Sequence, residues 1–251
     1  MLARSASRTE NDSLKHERDE LTPATVINRC DVYCADMSAD AIRDTATLRT
    51  MFREPSGRAI TKEIDHIDDL AAGFIAAAPL FVLATAAHDR VDASPRGGDP
   101  GFVKVISPTR LAFGDLSGNN RIDSYRNLVD APAVAMLFMV PGSIETLRVN
   151  GQAAVTTDAH IRELCTIDDR IPNIAITVDV DTCFMHCGKA LRRSATWEPD
   201  TWPAAGSYPS GAELLHGHTN STTPVCDIAE GLNAGYQATM WEPGGVDTSP
   251  S

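Results

Sequence analysis

Apolar residues Ile60, Ile64, Ile67, Ala71, Phe74 and Ala78 recur at alternating four- and three-residue spacing, with Glu63, Asp65, Asp68 and Asp69 between them. This period predicts an amphipathic helix with Thr61 as its N-cap. Pro79 ends it, because the residue before a proline is pushed out of the helical region. The pattern then shifts to short strand-like runs at 80–85, 91–94, 102–106, 110–113, 132–140, 145–156 and 173–184. Turn-forming residues punctuate them: His88-Asp89, the stretch 97–101, Ser107-Pro108, Pro141-Gly142 and Asn150-Gly151. Helical patterns interrupt the runs at 121–129, at 159–165 and from about residue 187 to 197. Many short strands with few intervening helices predict a mainly β protein, a closed or nearly closed antiparallel barrel with peripheral helices. They argue against a doubly wound parallel sheet.

Composition sets the limits of that domain. Residues 1–40 are charged, rich in Ser and Thr and without a period, and read as an N-terminal extension. Residues 41–203 hold the barrel pattern. Residues 204–251 turn rich in Pro, Gly, Ser and Thr, which predicts a largely irregular C-terminal extension. The chain's net charge of −12 repels phosphate backbones, so nucleic acid is a poor partner. Any anionic ligand must be held by locally placed Arg, Lys or backbone N–H groups. The longest apolar run, 74–87, is broken by Pro79, and no membrane span is predicted. The start of the chain lacks an apolar signal core, so a cytoplasmic protein is expected, with its six Cys residues as thiols.

Two stretches carry candidate chemistry. The first is Ser94-Pro95-Arg96-Gly97-Gly98-Asp99-Pro100-Gly101, between strands. Its glycines let backbone approach a ligand closely, and Arg96 offers a planar fork of donors suited to phosphate. It reads equally as a tight hairpin loop with a surface arginine. The second is Gly118-Asn119-Asn120-Arg121, before the helical run beginning Ile122-Asp123-Ser124. A helix N-terminus offers unpaired N–H groups to an anion, although Asn there is also an ordinary helix cap. One strand pair separates the two stretches, so a hairpin can place both around one anion. No Gly-x-Gly-x-x-Gly element opening a helix and no Walker-type loop is present, which leaves a monophosphate as the simplest fit.

These runs, with Pro141-Gly142-Ser143-Ile144-Glu145-Thr146-Leu147-Arg148-Val149-Asn150-Gly151, resemble the pyridoxamine 5′-phosphate oxidase-like superfamily. More narrowly they resemble its branch of FMN-dependent enzymes with an SPRGGDPGFV signature. The resemblance covers roughly residues 45–203. It implies an antiparallel split β-barrel that binds FMN at a homodimer interface and acts on a small organic substrate. It further implies that Asn119, Asn120 and Arg121 contact the FMN phosphate. Ser94 and Arg96 would then border the phosphate and ribityl side, with Gly97, Gly98, Asp115 and Ser124 also in the cofactor site. Glu145, Thr146 and Arg148 would lie near the flavin ring. The chain departs from true pyridoxamine phosphate oxidases at two places. Asn120-Arg121 stands where those usually carry adjacent Arg and Lys, and Asp115 where they tend to have a hydroxyl. Both departures bear on the substrate more than on FMN.

The stretch Cys183-Phe184-Met185-His186-Cys187-Gly188-Lys189-Ala190-Leu191-Arg192-Arg193 resembles a segment that follows the last barrel strand in the same branch. By that likeness His186, Lys189, Arg193 and Trp197 border the active cavity. Lys189, Arg192 and Arg193 also fall at helical spacing and read as a solvated basic face. The Cys and His spacing is not a standard zinc pattern, and no metal is expected. The competing reading is a non-catalytic flavin- or haem-binding barrel, with His186 as the haem ligand.

Overall fold

The computed structural model describes residues 41–245. The predicted N-terminal extension lies outside them. Contacts divide the chain into two units, residues 1–55 and 56–251. In the first, helix α1 (Thr45–Thr50) is started by Asp44, whose side chain accepts from the Thr47 N–H at 2.8 Å. The second holds all remaining elements.

The predicted helix over 60–78 is interrupted. α2 (Arg58–Thr61) and α3 (Asp69–Ala77) flank a segment in which Ile64 exchanges two backbone hydrogen bonds with Cys183, at 3.1 and 2.8 Å. Pairing with a distant strand overrides the helical period there. The N-cap of the longer helix is Asp68, not Thr61, and accepts from the Ala71 N–H at 2.8 Å. The helix stops before Pro79, as the sequence predicts.

Seven strands follow: β1 (Leu80–Ala87), β2 (Arg90–Gly97), β3 (Lys104–Ser107), β4 (Arg110–Gly114), β5 (Ala133–Met139), β6 (Thr146–Thr156) and β7 (Ala175–His186). They form one antiparallel sheet in the order β2-β1-β5-β6-β7-β4-β3, the arrangement of a split barrel with peripheral helices. Each predicted strand is present within a few residues of its expected ends. Alternation of buried and outward residues along β1 directs Phe81 and Leu83 inward. Phe81 packs on Phe102, Phe113 and Phe138 with ring centroids 5.7, 5.0 and 5.1 Å away.

Two turn expectations resolve differently. Asn150-Gly151 sits inside β6, opposite a bulge in β7 where Asp181 is the extra residue, and does not form a turn. A Cβ on Gly151 would lie 2.0 Å from the Asp179 carbonyl oxygen, so only glycine fits the close approach. Ser94, Pro95, Arg96 and Gly97 continue β2 and are not part of a loop.

The expectation of an irregular tail is also corrected. Residues 211–239 contain two helices, α7 (Gly211–Thr219) and α8 (Val225–Thr239), numbered after α4 (Asp123–Asp130), α5 (Ala159–Leu164) and α6 (Lys189–Arg193). Ser210 and Glu213 form a reciprocal capping box at the start of α7. The helical glycines Gly211, Gly217, Gly231 and Gly235 gave the region its loop-like composition. Packing of α7 and α8 on each other supplies the order that propensity does not.

Candidate functional site

β2 alternates faces, so Asp92, Ser94 and Arg96 point to one side, half-buried under α4. The N-terminal residue Ser124 of that helix is 3% exposed and joins them. Arg96 Nη2 donates to Ser124 Oγ at 3.0 Å. Ser124 Oγ and Ser94 Oγ donate to Asp92 Oδ2 at 2.5 and 3.1 Å. One turn deeper, Asn127 Nδ2 donates to Thr85 Oγ1 at 3.1 Å and anchors the helix on β1.

α4 does not begin as its sequence suggests. Its N-cap is Ile122, in the left-handed region at φ 52°, and no side chain caps the first turn. Asn120 is also left-handed, at φ 56°. The Asn119 side chain turns back to accept from the Arg121 N–H at 3.1 Å. Neither asparagine caps the helix, because the left-handed steps redirect the chain before the first turn. The first-turn N–H groups of Asp123, Ser124 and Tyr125 are therefore left to whatever enters beside them. A β-branched residue in the left-handed region is strained by about 1–3 kcal/mol, and such strain concentrates at binding sites.

These groups line a cavity of about 360 Å3, walled by Ser94, Arg96, Asp115, Asn119, Asn120, Arg121 and Ser124 among others. Seven of the residues expected from the sequence thus share one cavity. Arg96 Nε is buried and has no partner, which leaves a guanidinium donor free for a ligand. The guanidinium also lies 5.4 Å from the centre of the Tyr125 ring. Tyr125 Oη donates to Asp115, and burial pushes its own pKa up.

The cavity is not uniformly positive. Asp92, Asp115 and Asp123 stand beside Arg96 and Arg121. Asp92 is satisfied by two hydroxyls. Asp123 pairs with Arg121 Nε at 2.7 Å. Burial pushes the pKa of Asp115 up, opposed by the Tyr125 hydroxyl and the Arg96 charge. Asp115 accepts from the Tyr125 hydroxyl, so each of the three carboxylates beside the two arginines already has a partner. Together with the unfilled Arg96 donor and the uncapped helix end, that arrangement fits one phosphate group.

Among the cavity residues not expected from the sequence are Asp92, Tyr125, Gly244 and Gly245. Asp92 was findable, since Asp92, Ser94 and Arg96 follow the strand period once β2 is extended to Gly97. Nothing near Gly244 in sequence signals its position. Gly97 and Gly98 do not line the cavity. The Gly98 N–H donates to the Pro79 carbonyl at 3.1 Å, and a Cβ there would meet the Phe102 ring at 2.8 Å. These two glycines serve a close packing turn.

Glu145, Thr146, Arg148, His186, Lys189, Arg193 and Trp197 line no part of this cavity. Thr146 borders a separate cavity of about 280 Å3 with Lys62, Leu147, Phe184 and Met185. Arg148 and Lys62 each lie 5.4 Å from the centre of the Phe184 ring. Burial and the charges of Arg148 and Lys62 hold the His186 pKa below its usual value. Trp197 Nε1 donates to the Ser143 carbonyl at 2.7 Å. Lys189 and Arg193 are exposed on α6. Ile174, before the start of β7, adjoins the first cavity, and His186, at the end of that strand, pairs with Thr146.

Among the described residues no helix is long and apolar enough to cross a membrane. No group of three or more His, Cys, Asp or Glu is placed to hold a metal ion among them.

The pyridoxamine 5′-phosphate oxidase family model matches residues 67–185. That stretch contains all but the last residue of the seven-stranded sheet. Among solved structures, HupZ of Group A Streptococcus aligns at 14% identity, TM-score 0.38, over 47% of this chain and 93% of that one. General Stress Protein 26 from Bacillus anthracis str. Sterne aligns at 16% identity, TM-score 0.35, over 45% and 88%. An FMN-binding protein from Syntrophomonas wolfei subsp. wolfei aligns at 10% identity, TM-score 0.36, over 45% and 81%. No protein of curated function matches the chain by sequence.

Proposed function

Starting from the membership of residues 67–185 in the pyridoxamine 5′-phosphate oxidase family, we propose that this chain is an FMN-dependent oxidoreductase acting on a small organic substrate. The observation that carries this reading is the convergence of Arg96, with its partnerless Nε, and Ser124 at the uncapped start of α4. Arg96, Ser94, Ser124 and the first-turn N–H groups would hold the FMN phosphate. Arg121 would add its charge by sharing itself between Asp123 and the phosphate. When bound, FMN supplies hydride or electron transfer at its ring.

The separation of the two cavities bears on assembly. Arg148 and His186 line no part of the cavity that holds Arg96, with β1 and β5 standing between β2 and β6 in the sheet. We propose that two copies pair so that the basic cluster of one faces the phosphate cavity of the other. Lys62, Arg148 and His186 around Phe184 would then favour negative charge on the ring or substrate at that end. His186, whose pKa is held below its usual value by burial and by the charges of Arg148 and Lys62, is the proton acceptor of this reading.

The absorption spectrum of purified protein tests the reading, followed by mass identification of whatever the denatured protein releases. A flavin spectrum that bleaches on reduction, with FMN released, is the expected result. Protein that takes up no FMN at saturation would sink it. A Soret band on haem titration, abolished by His186→Ala, would favour the haem-binding alternative instead.

Asp115 makes a pH-dependent prediction. Its pKa is raised in the folded protein, so the folded state holds this proton more tightly than the unfolded chain. The stabilisation is full below the ordinary carboxyl value of 3.8 and is lost as pH rises through the raised value. Ligand-free protein should therefore lose stability relative to Asp115→Asn over that window. Urea midpoints at a series of pH values check it, and parallel curves for the two proteins would contradict it.

A further inference from the structure

The segment 241–245 lies outside the family-matched stretch, yet it closes one side of the phosphate cavity. It is tied down along its length. The Ser117 N–H donates to the Glu242 carbonyl at 2.7 Å, and Leu116 and Pro243 form an antiparallel bridge. The Gly244 N–H donates to the Asp115 carbonyl at 3.2 Å. Asn173 Nδ2 donates to the Gly244 carbonyl at 3.0 Å. Arg170 donates to the Trp241 carbonyl at 3.3 Å and lies 3.5 Å from the Glu242 carboxylate.

This strap has the shape and charge that a wall requires. Gly244 is buried against Asp115, where a Cβ would fall 1.9 Å from Asp115 Oδ2 and 2.9 Å from the Leu116 carbonyl oxygen. Gly245 follows at φ 70° with nothing near its Cβ position, so it borders open cavity space. The one ionisable residue of the segment, Glu242, is engaged by Arg170 and does not line the cavity. After β7 the chain first runs through α6, α7 and α8 and then returns to the cavity.

We infer that residues 241–245 are a positioning element of the ligand site, which walls the phosphate cavity and shields Asp115 from water so that Arg96 and Arg121 can hold an anion there. The inference rests on the FMN-phosphate reading above. The strap keeps the Asp115 carboxyl in surroundings that disfavour its charge. Without the strap, water enters beside Asp115, and solvent screening weakens the hold of Arg96 and Arg121 on an anion. Arg170, which touches the strap and not the cavity, is the residue that fastens it.

Two variants test this: a chain ending at Met240, and full-length Arg170→Ala, which removes a half-exposed ion pair and should fold normally. FMN affinity is read by fluorescence titration, with inorganic phosphate as competitor. Amide hydrogen exchange over 115–118 reads whether the strap is docked. The truncated protein should bind FMN about tenfold more weakly or worse, with faster exchange over 115–118. Arg170→Ala should fall between it and the full chain in both. Faster exchange with unchanged FMN affinity would overturn the inference, and so would unchanged exchange in both variants. If the full chain itself takes up neither FMN nor phosphate, the oxidoreductase reading fails, and the inference with it. That outcome is distinct from one in which the full chain binds FMN and the variants match it.

Discussion

Arg96→Ala is expected to weaken FMN binding by roughly 10- to 100-fold, the loss typical of hydrogen bonds to a charged group at about 1.5–3 kcal/mol. The arginine contributes twice in this geometry. Its Nη2 fixes Ser124 at the start of α4, and its buried Nε has no partner until a ligand arrives. Arg96→Lys retains a charge but not the planar fork, so it should recover only part of the affinity. Isothermal titration of apo protein with FMN measures both variants. Affinity within twofold of the parent for Arg96→Ala would remove this residue from the phosphate site. Urea unfolding of the same variant guards against a trivial cause, because the guanidinium also lies over the Tyr125 ring at 5.4 Å.

The largest effect on stability is expected from Phe81→Ala, at about 3–5 kcal/mol. Phe81 is fully buried, and three other phenylalanine rings surround it within 5.7 Å. Phe102, Phe113 and Phe138 come from the loop before β3, from β4 and from β5, so one side chain joins distant parts of the sheet. Alanine leaves a cavity that these neighbours cannot fill without moving backbone. Against a total stability of about 5–15 kcal/mol for an ordinary domain, the variant would be marginal. A shift in the urea midpoint worth less than about 1 kcal/mol would show that the cluster is not the centre of the core.

The strands were legible because burial on one face forces a period of two, and that period is written locally. Pro79 and the Ser210–Glu213 pair were equally local signals, although the second was hidden among glycines and threonines. The helix over 60–78 failed for the opposite reason. Ile64 has helical spacing, but Cys183 takes its backbone hydrogen bonds. Such a partner, 119 positions away (183 − 64), has no trace in the local pattern.

The candidate site divides along the same line. Arg96, Ser124 and the turn 118–121 stood out by residue type and spacing, and the structure brings them to one cavity. The grouping of Glu145, Thr146, Arg148 and His186 with them did not follow within one subunit. Adjacency in a motif says nothing about how many strands separate two residues across the sheet, and β1 and β5 stand between β2 and β6. The sequence alone therefore determined the antiparallel strand pattern and the residue types suited to a phosphate, since both depend on neighbours a few positions apart. Only the tertiary structure decided that Ile122 opens α4 without a cap, that Asp115 is half-buried, and that Gly244 walls the cavity. Each of those depends on a close approach between segments far apart in the chain, where packing and exclusion of water set the outcome.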